Sequence, residues 1–149
     1  MTEIKKSREV PYTLAQMHSL VTTLGLYPEF LPWVKEVKIV SQDKTKISAN
    51  LHAEKWNINF AFNMIYLIQP NNVIEIRLRS GGPFRHIAGF WKFDTLKNKG
   101  TKLTFELQLE FASPWMRWTL LPFIKRECTL LLKNFVARAE KLYDRNFRI

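Results

Sequence analysis

The chain has 149 residues, near the size of one typical domain, and 46% of them are hydrophobic with 13% aromatic, which excludes a disordered chain. Its 23 Lys and Arg against 13 Asp and Glu leave a formal net charge of +10, which points to polyanionic neighbours such as nucleic acid or anionic lipid headgroups. No uncharged apolar run approaches the roughly 18 residues of a bilayer-spanning helix.

Residues Met1 to Glu9 mix Lys5, Lys6 and Arg8 with Glu3 and Glu9 and lead into no apolar core with a small-residue cleavage site, so no export signal is expected. The run Ile4 to Val10 reads as a first strand, ended by Pro11, which has no donor for a ladder. Thr13 is placed to cap a helix in which Met17, Leu20, Val21 and Leu24 recur at helical spacing, with Gly25 as its stop. The segment Tyr27-Pro28-Glu29-Phe30-Leu31-Pro32-Trp33, framed by two prolines and crowded with aromatics, predicts a short helical turn packed across the mouth of a sheet.

From Val34 to Phe111 the period changes to two, and turn residues arrive at intervals suited to a meander, giving roughly six to seven strands in all. Val37 and Ile39 open the series. Ile47, Ala49, Leu51 and Ala53 then alternate with Ser48, Asn50, His52 and Glu54, one face apolar and the other polar. The run from Trp56 repeats this, with Ile58, Phe60, Phe62, Met64, Tyr66 and Ile68 set against Asn57, Asn59, Ala61 and Asn63, until Pro70-Asn71-Asn72 turns the chain. Ile74, Ile76 and Leu78 oppose Glu75, Arg77 and Arg79. After Gly81-Gly82-Pro83 the strand of Trp91 and Phe93 leads through Asn98-Lys99-Gly100 to Leu103, Phe105, Leu107, Leu109 and Phe111. Ser113 caps the last element with Pro114 at its first position. Cys128, Leu131, Leu132, Phe135, Ala139, Leu142 and Tyr143 form an apolar stripe along it. Pro122, inside that helix, is expected to kink it or to split off a first segment holding Trp115, Met116 and Trp118. The pattern predicts an α+β chain of helix-grip type, a curled antiparallel sheet closed over one long C-terminal helix, forming a single domain over 1–149.

Acid-base chemistry needs a histidine or paired carboxylates in a cleft. His18, His52 and His86 stand in no catalytic motif, and Glu106 and Glu110 share a strand face with Gln108 in the manner of an ordinary solvated face. There is no phosphate-cradling glycine loop and no metal-ligand spacing. The lone Cys128 allows neither a disulfide nor a cysteine cluster within the chain, which fits a reducing cytosol. A protein that is not an enzyme, needing no metal and no required cofactor, is therefore expected.

Instead, large apolar groups crowd the inward face, where a curled sheet and one helix leave space between them. Candidate cavity residues are Trp33, Phe60, Phe62, Met64, Tyr66, Ile76, Trp91, Phe93, Leu107, Leu109, Leu131 and Phe135, although the ordinary role of any one of them is core packing. Candidate polyanion contacts are Arg77, Arg79 and Arg85 near the Gly-Gly turn. Lys125, Arg126, Lys133, Arg138, Lys141, Arg145 and Arg148 add to them along the last helix, opposed by Glu127, Glu140 and Asp144. A solvated helix face is the default role of such a run.

Val10-Pro11-Tyr12 with Met17 and Leu20-Val21, the Tyr27 to Trp33 segment, Gly82-Pro83-Phe84 with Gly89 and Trp91-Lys92-Phe93, and the closing Phe135, Arg138-Ala139 and Tyr143 occur in family order across nearly the whole chain. In these motifs the chain resembles the RatA and coenzyme Q-binding protein family of START-like domains. The resemblance implies a START-like fold and one of two roles. The first is binding ubiquinone or a related polyprenyl lipid in support of respiration, in the cytoplasm or at the inner membrane face. The second is binding the large ribosomal subunit so as to block subunit association, as the RatA toxins do. Other START-like relatives carry the names cyclase or dehydrase, a third and enzymatic implication for which the chain offers no acid or base. A quinone ring would take polar contacts from Tyr66, Trp33 and Trp91 at the cavity mouth. Ribosome docking would use Lys and Arg on phosphates and be surface docking only, because, unlike an RNA-recognition sheet, the aromatics alternate inward and present no stacking platform; no DNA sequence reading is expected.

Overall fold

The computed structural model describes residues 2–55 and 58–144 of the protein. Trp56, Asn57, Arg145 and Arg148 lie outside the described residues, as does the side chain of Ile58. The elements follow as β1 (Thr2–Val10), α1 (Leu14–Thr22), a 3₁₀ turn (Leu24–Glu29), β2 (Val34–Gln42), β3 (Lys46–Lys55), β4 (Ile58–Gln69), β5 (Val73–Gly81), β6 (Phe84–Thr95), β7 (Thr101–Phe111) and α2 (Pro114–Tyr143).

Short turns join β2 through β7 into a meander, and β1 returns to pair with β7, from Thr2 opposite Leu109 to Val10 opposite Thr101. The resulting seven-stranded antiparallel sheet has the order β1-β7-β6-β5-β4-β3-β2. Because β1 and β2 occupy opposite edges, the chain between them must cross the sheet, and α1 with the 3₁₀ turn makes that crossing. The alternation read from the sequence survives as one buried face: Ile47, Ala49, Leu51 and Ala53 on β3, Phe62, Met64 and Tyr66 on β4, Leu103, Phe105, Leu109 and Phe111 on β7. The sheet curls around α2, whose Phe123, Ile124, Leu131, Leu132, Phe135 and Ala139 are buried against it.

The helix starts follow the capping residues. Thr13 Oγ1 accepts the Gln16 amide at 3.2 Å while Gln16 Oε1 accepts the Thr13 amide at 2.9 Å, a capping box of about 1 kcal/mol. Ser113 Oγ accepts the Met116 amide at 3.2 Å, with Pro114 at the first position of α2. The far end of α2 is pinned by the Tyr143 hydroxyl, which donates to the Gln16 carbonyl at 2.9 Å, and by the Tyr12 hydroxyl on Asp144 at 3.0 Å.

Four expectations need correction. First, α1 stops at Thr22, before Gly25, which lies inside the 3₁₀ turn. At Thr23 the backbone takes φ −90° and ψ 69°, outside helical geometry, while the Thr22 and Thr23 hydroxyls bond back to the carbonyls of His18 and Ser19 at 2.9 and 2.6 Å. Second, Pro122 splits off no first segment: Pro114–Tyr143 is one helix of 30 residues. Pro122 is exposed, so the Trp118 carbonyl that loses its donor has water as an alternative. Third, β2 is an edge strand with two register shifts, and Ile39 on it is 41% exposed, not inward. Leu142, counted on the apolar stripe of α2, is likewise exposed.

Two close backbone features shape the cavity end of the sheet. Gly81 and Gly82 make the β5–β6 turn at φ values of 93° and 70°, which side-chain-bearing residues seldom adopt. Gly89 on β6 passes so near β7 that an added Cβ would overlap the Glu106 carbonyl oxygen and sit 3.1 Å from Leu107 Cα.

Candidate functional site: an apolar cavity between sheet and helix

Between the curled sheet and α2 lies a cavity of about 130 Å³. Tyr27, Leu31 and Trp33 line it from the crossing segment, Leu51 from β3, Phe60, Phe62, Met64 and Tyr66 from β4, and Ile76 from β5. Phe84, Ile87 and Trp91 come from β6, Phe105, Leu107 and Leu109 from β7, and Phe123, Ile124, Glu127, Cys128, Leu131 and Phe135 from α2. The antiparallel order explains the convergence. With inward residues at every second position on adjacent strands, the concave face is a continuous apolar wall, and α2 closes it with residues three or four apart. Aromatic packing stiffens the inner end: Phe135 meets Trp91 at 5.0 Å and Phe30 at 5.0 Å, edge to face, and Trp91 meets Phe105 at 4.8 Å. At the other end Phe84 lies edge-on to Phe60 and Phe62 at 5.9 and 6.1 Å.

The volume limits what fits. An engineered cavity of about 150 Å³ accepts benzene, and drug-sized pockets run from about 300 Å³ upward. The space therefore takes a ring-sized group, and a longer ligand must extend out of it or spread the helix from the sheet.

Few polar atoms reach this space. The Trp33 ring nitrogen is buried with no hydrogen-bond partner, an unmet donor in an apolar wall. Burial pushes the Tyr66 hydroxyl well above its ordinary pKa, so it stays protonated. Tyr27, equally buried, donates its hydroxyl to the Val21 carbonyl and is thereby committed to the fold. The Cys128 thiol is pushed up to about 12, first by burial and then by neighbouring Glu127, so no thiolate nucleophile is present near neutral pH. The lining contains one carboxylate, Glu127, one thiol and no histidine among the described residues. Also among the described residues, no group of three His, Cys, Asp or Glu side chains is placed to hold a metal ion. No helix described is long and apolar enough to cross a membrane.

Of the twelve candidates from the sequence, the structure brings eleven to the cavity wall: Trp33, Phe60, Phe62, Met64, Tyr66, Ile76, Trp91, Leu107, Leu109, Leu131 and Phe135. Phe93 is not among them. It is buried on the same face but nearer the α1 end, where its ring packs on His18 at 5.3 Å. Tyr66 and Trp91 sit deep rather than at a mouth, both buried, and only Trp33 of the three proposed polar contacts is half-exposed.

The basic candidates divide. Arg77 and Arg79 are exposed on the outward face of β5, Arg77 pairing with Glu75 at 2.9 Å. Arg85 bonds Glu110 at 3.5 Å and the Ala112 carbonyl at 3.4 Å, beside the start of α2. Lys125, Arg126, Lys133 and Lys141 are exposed on the outer face of α2. Arg138 does not belong with them: its side chain is 10% exposed, pairs with Glu29 at 2.8 Å and lies over the Phe30 ring at 5.6 Å, tying the crossing segment to α2. Glu127, set by the sequence among the surface counter-charges, is buried at 4% exposure in the cavity wall. Its place was readable, since Phe123, Glu127, Leu131 and Phe135 recur every four residues and put the carboxylate on the buried stripe. Phe84, Ile87, Phe123 and Ile124 were also missed: Phe84 follows the Gly-Gly-Pro turn, Ile87 lies just past the register shift between Phe84 and His86, and Phe123 and Ile124 follow Pro122.

Comparison with known proteins agrees with this architecture. Residues 10–136 match the family described as polyketide cyclase / dehydrase and lipid transport. The chain is 30% identical over 142 residues to the ribosome association toxin RatA of Pseudomonas aeruginosa, covering 95% of this chain and 98% of that protein. It is 22% identical to the mitochondrial coenzyme Q-binding protein COQ10 of Dictyostelium discoideum, over 92% of this chain and 68% of that one. The fold is shared with the crystal structure of the Zhui aromatase/cyclase from a Streptomyces species, at a TM-score of 0.84 and 15% identity over 94% of each chain. A seven-stranded sheet curled on one long helix, with these matches across nearly the whole length, makes the chain a member of the polyketide cyclase / dehydrase and lipid transport family, within its START-like RatA and coenzyme Q-binding group.

Proposed function

We propose that the protein is a non-enzymatic carrier of a hydrophobic ring-bearing lipid, most consistent with ubiquinone or a related polyprenyl compound, working in the cytoplasm or against the inner membrane face. The observation that carries the reading is the cavity between sheet and α2, apolar except for the Trp33 ring nitrogen, the Tyr66 hydroxyl, Cys128 and Glu127. A quinone carbonyl accepts hydrogen bonds. The unpartnered Trp33 N–H and the protonated Tyr66 hydroxyl are donors of the right kind, while the isoprenoid tail would lie along Phe60, Phe62 and Phe84. The volume of about 130 Å³ suits the ring alone, so the tail leaves by that end. Enzymatic cyclisation would draw on Glu127 as its one carboxylate. With the Cys128 thiol held protonated and no histidine lining the space, an acid-base pair is hard to assemble.

A second reading has its own support. The similarity to RatA, a toxin named for ribosome association, favours docking on the large subunit through the outward cations. With Arg138 withdrawn into the fold, the contacts for that role are Lys125, Lys133 and Lys141 on α2 and Arg79 on β5.

Mass spectrometry of organic extracts from protein washed at high salt tests the carrier reading. A stoichiometric quinone or other lipid is expected from the native protein and not from a folded Phe62→Trp/Leu107→Trp variant, whose added rings fill the space. An empty native protein that, when added to a lysate, depletes joined ribosomes in a sucrose gradient would replace this reading with the ribosome-docking one.

A further inference from the structure

The start of α2 carries the most exposed large apolar groups of the described chain. Trp118 is 83% exposed and Trp115 75%, and Met116 beside them is 36% exposed. Trp115 and Trp118 are three residues apart and share one face of the helix, which continues through Pro122, Lys125, Arg126, Thr129 and Lys133, all exposed. Arg117 is exposed next to the rings. From Pro114 to Lys133 the acidic side chain is Glu127, which is buried, so the outer surface of these five turns is purely cationic. Two indole rings held in water this way are costly unless something covers them.

The location is also specific. In the antiparallel meander the end of β3, the start of β4 and the β5–β6 turn lie at the same end as the last residue of β7, and α2 begins there. Ala112 donates its amide to the Pro83 carbonyl at 2.8 Å, and Phe84 packs on Phe111 at 5.4 Å. Phe60 and Phe84, the half-exposed residues of the cavity wall at this end, therefore lie at the end of the fold where α2 and its two tryptophans begin.

We infer that the Trp115–Trp118 face, with Arg117, Lys125, Arg126 and Lys133, docks the protein on an anionic lipid bilayer, with the Phe60–Phe84 end of the cavity turned toward the membrane. Indole rings settle at the boundary between headgroups and acyl chains, and Lys and Arg beside them are drawn to anionic headgroups. RNA would be the other polyanion, but its phosphates would engage only Arg117, Lys125, Arg126 and Lys133, whereas the headgroup boundary of a bilayer also covers Trp115, Trp118 and Met116. The inference deepens the carrier reading, because a bilayer is where a lipid cavity loads, yet the surface stands on its own residues.

The test is co-sedimentation with vesicles of phosphatidylcholine alone and of phosphatidylcholine mixed with phosphatidylglycerol. Native protein is expected to pellet with the mixed vesicles, to bind neutral ones less, and to release as salt rises. Trp115→Ser/Trp118→Ser, surface changes that leave the thermal midpoint in place, is expected to weaken partitioning at least roughly tenfold. Lys125→Gln/Lys133→Gln is expected to remove most of the preference for phosphatidylglycerol. Native protein that stays in the supernatant with both vesicle types overturns the inference, as does a tryptophan variant that pellets like the native. So does a variant that keeps vesicle binding but loses ribosome co-sedimentation, which would assign the face to RNA. Vesicle binding by a protein whose extracts hold no lipid would instead overturn the carrier reading and leave this surface standing.

Discussion

His18 lies on α1 with its ring tilted against Phe93 at 5.3 Å, and partial burial holds its pKa below the ordinary 6.5. The sign follows from linkage. Below about pH 6.5 the unfolded chain takes up a proton at this position that the folded chain resists, so stability is full above that pH and falls as the solution is acidified through it. Asp43, lowered first by the Thr45 amide, and Glu54, lowered first by Lys35, act in the same direction but only in the carboxylate range, so the windows separate. The urea midpoint is expected to drop between pH 7.5 and pH 5.5 and to change less in His18→Gln; an equal drop in both would locate the dependence elsewhere. Arg138 and Glu127 teach a related lesson. Each is a charged residue read from the sequence as surface, and each is turned inward because its helical phase puts it against the crossing segment or on the buried stripe. A charge in a sequence reports where water must be offset, not which side of a helix it occupies.

Among the elements, β6 and β7 make the most demanding contact, since Gly89 has no room for a side chain against Glu106 and Leu107. Gly89→Val is expected to destabilise by about 1–3 kcal/mol or more, because the ladder must open to admit an isopropyl group whose Cβ alone already overlaps the Glu106 carbonyl. Chemical denaturation checks this, and a change within about 0.5 kcal/mol, the range of ordinary surface substitutions, would contradict the packing. The elements that departed from expectation did so for local reasons. The backbone leaves helical geometry at Thr23, ahead of Gly25, and an exposed position let Pro122 ride inside α2. On β2, Ile39 and Val40 face water, because an edge strand with two register shifts lies past the reach of α2.

For the whole molecule, a ligand held in the cavity couples to stability by mass action. At a free concentration one hundred times its Kd, a lipid that binds only the folded chain adds about 2.7 kcal/mol. For a chain of this size that raises the melting midpoint by roughly 5–10 °C. Protein stripped of lipid is expected to melt lower by that amount and to recover on reloading with ubiquinone, read by calorimetry. Equal midpoints before and after stripping would mean that the space holds nothing tightly. Periodicity alone determined the strands, the long final helix and most of the inward apolar residues, because alternation by two and recurrence by three or four are local consequences of backbone geometry. Only the tertiary structure decided which inward residues meet empty space and which, like Phe93, meet another side chain. It alone set β1 and β2 on opposite edges, drew Arg138 onto Glu29 and brought the start of α2 to the end of the sheet where Phe60 and Phe84 line the cavity. A sequence records which faces are apolar, but a void, an ion pair across 109 residues or a neighbouring surface exists only once the sheet has curled and the helix has docked.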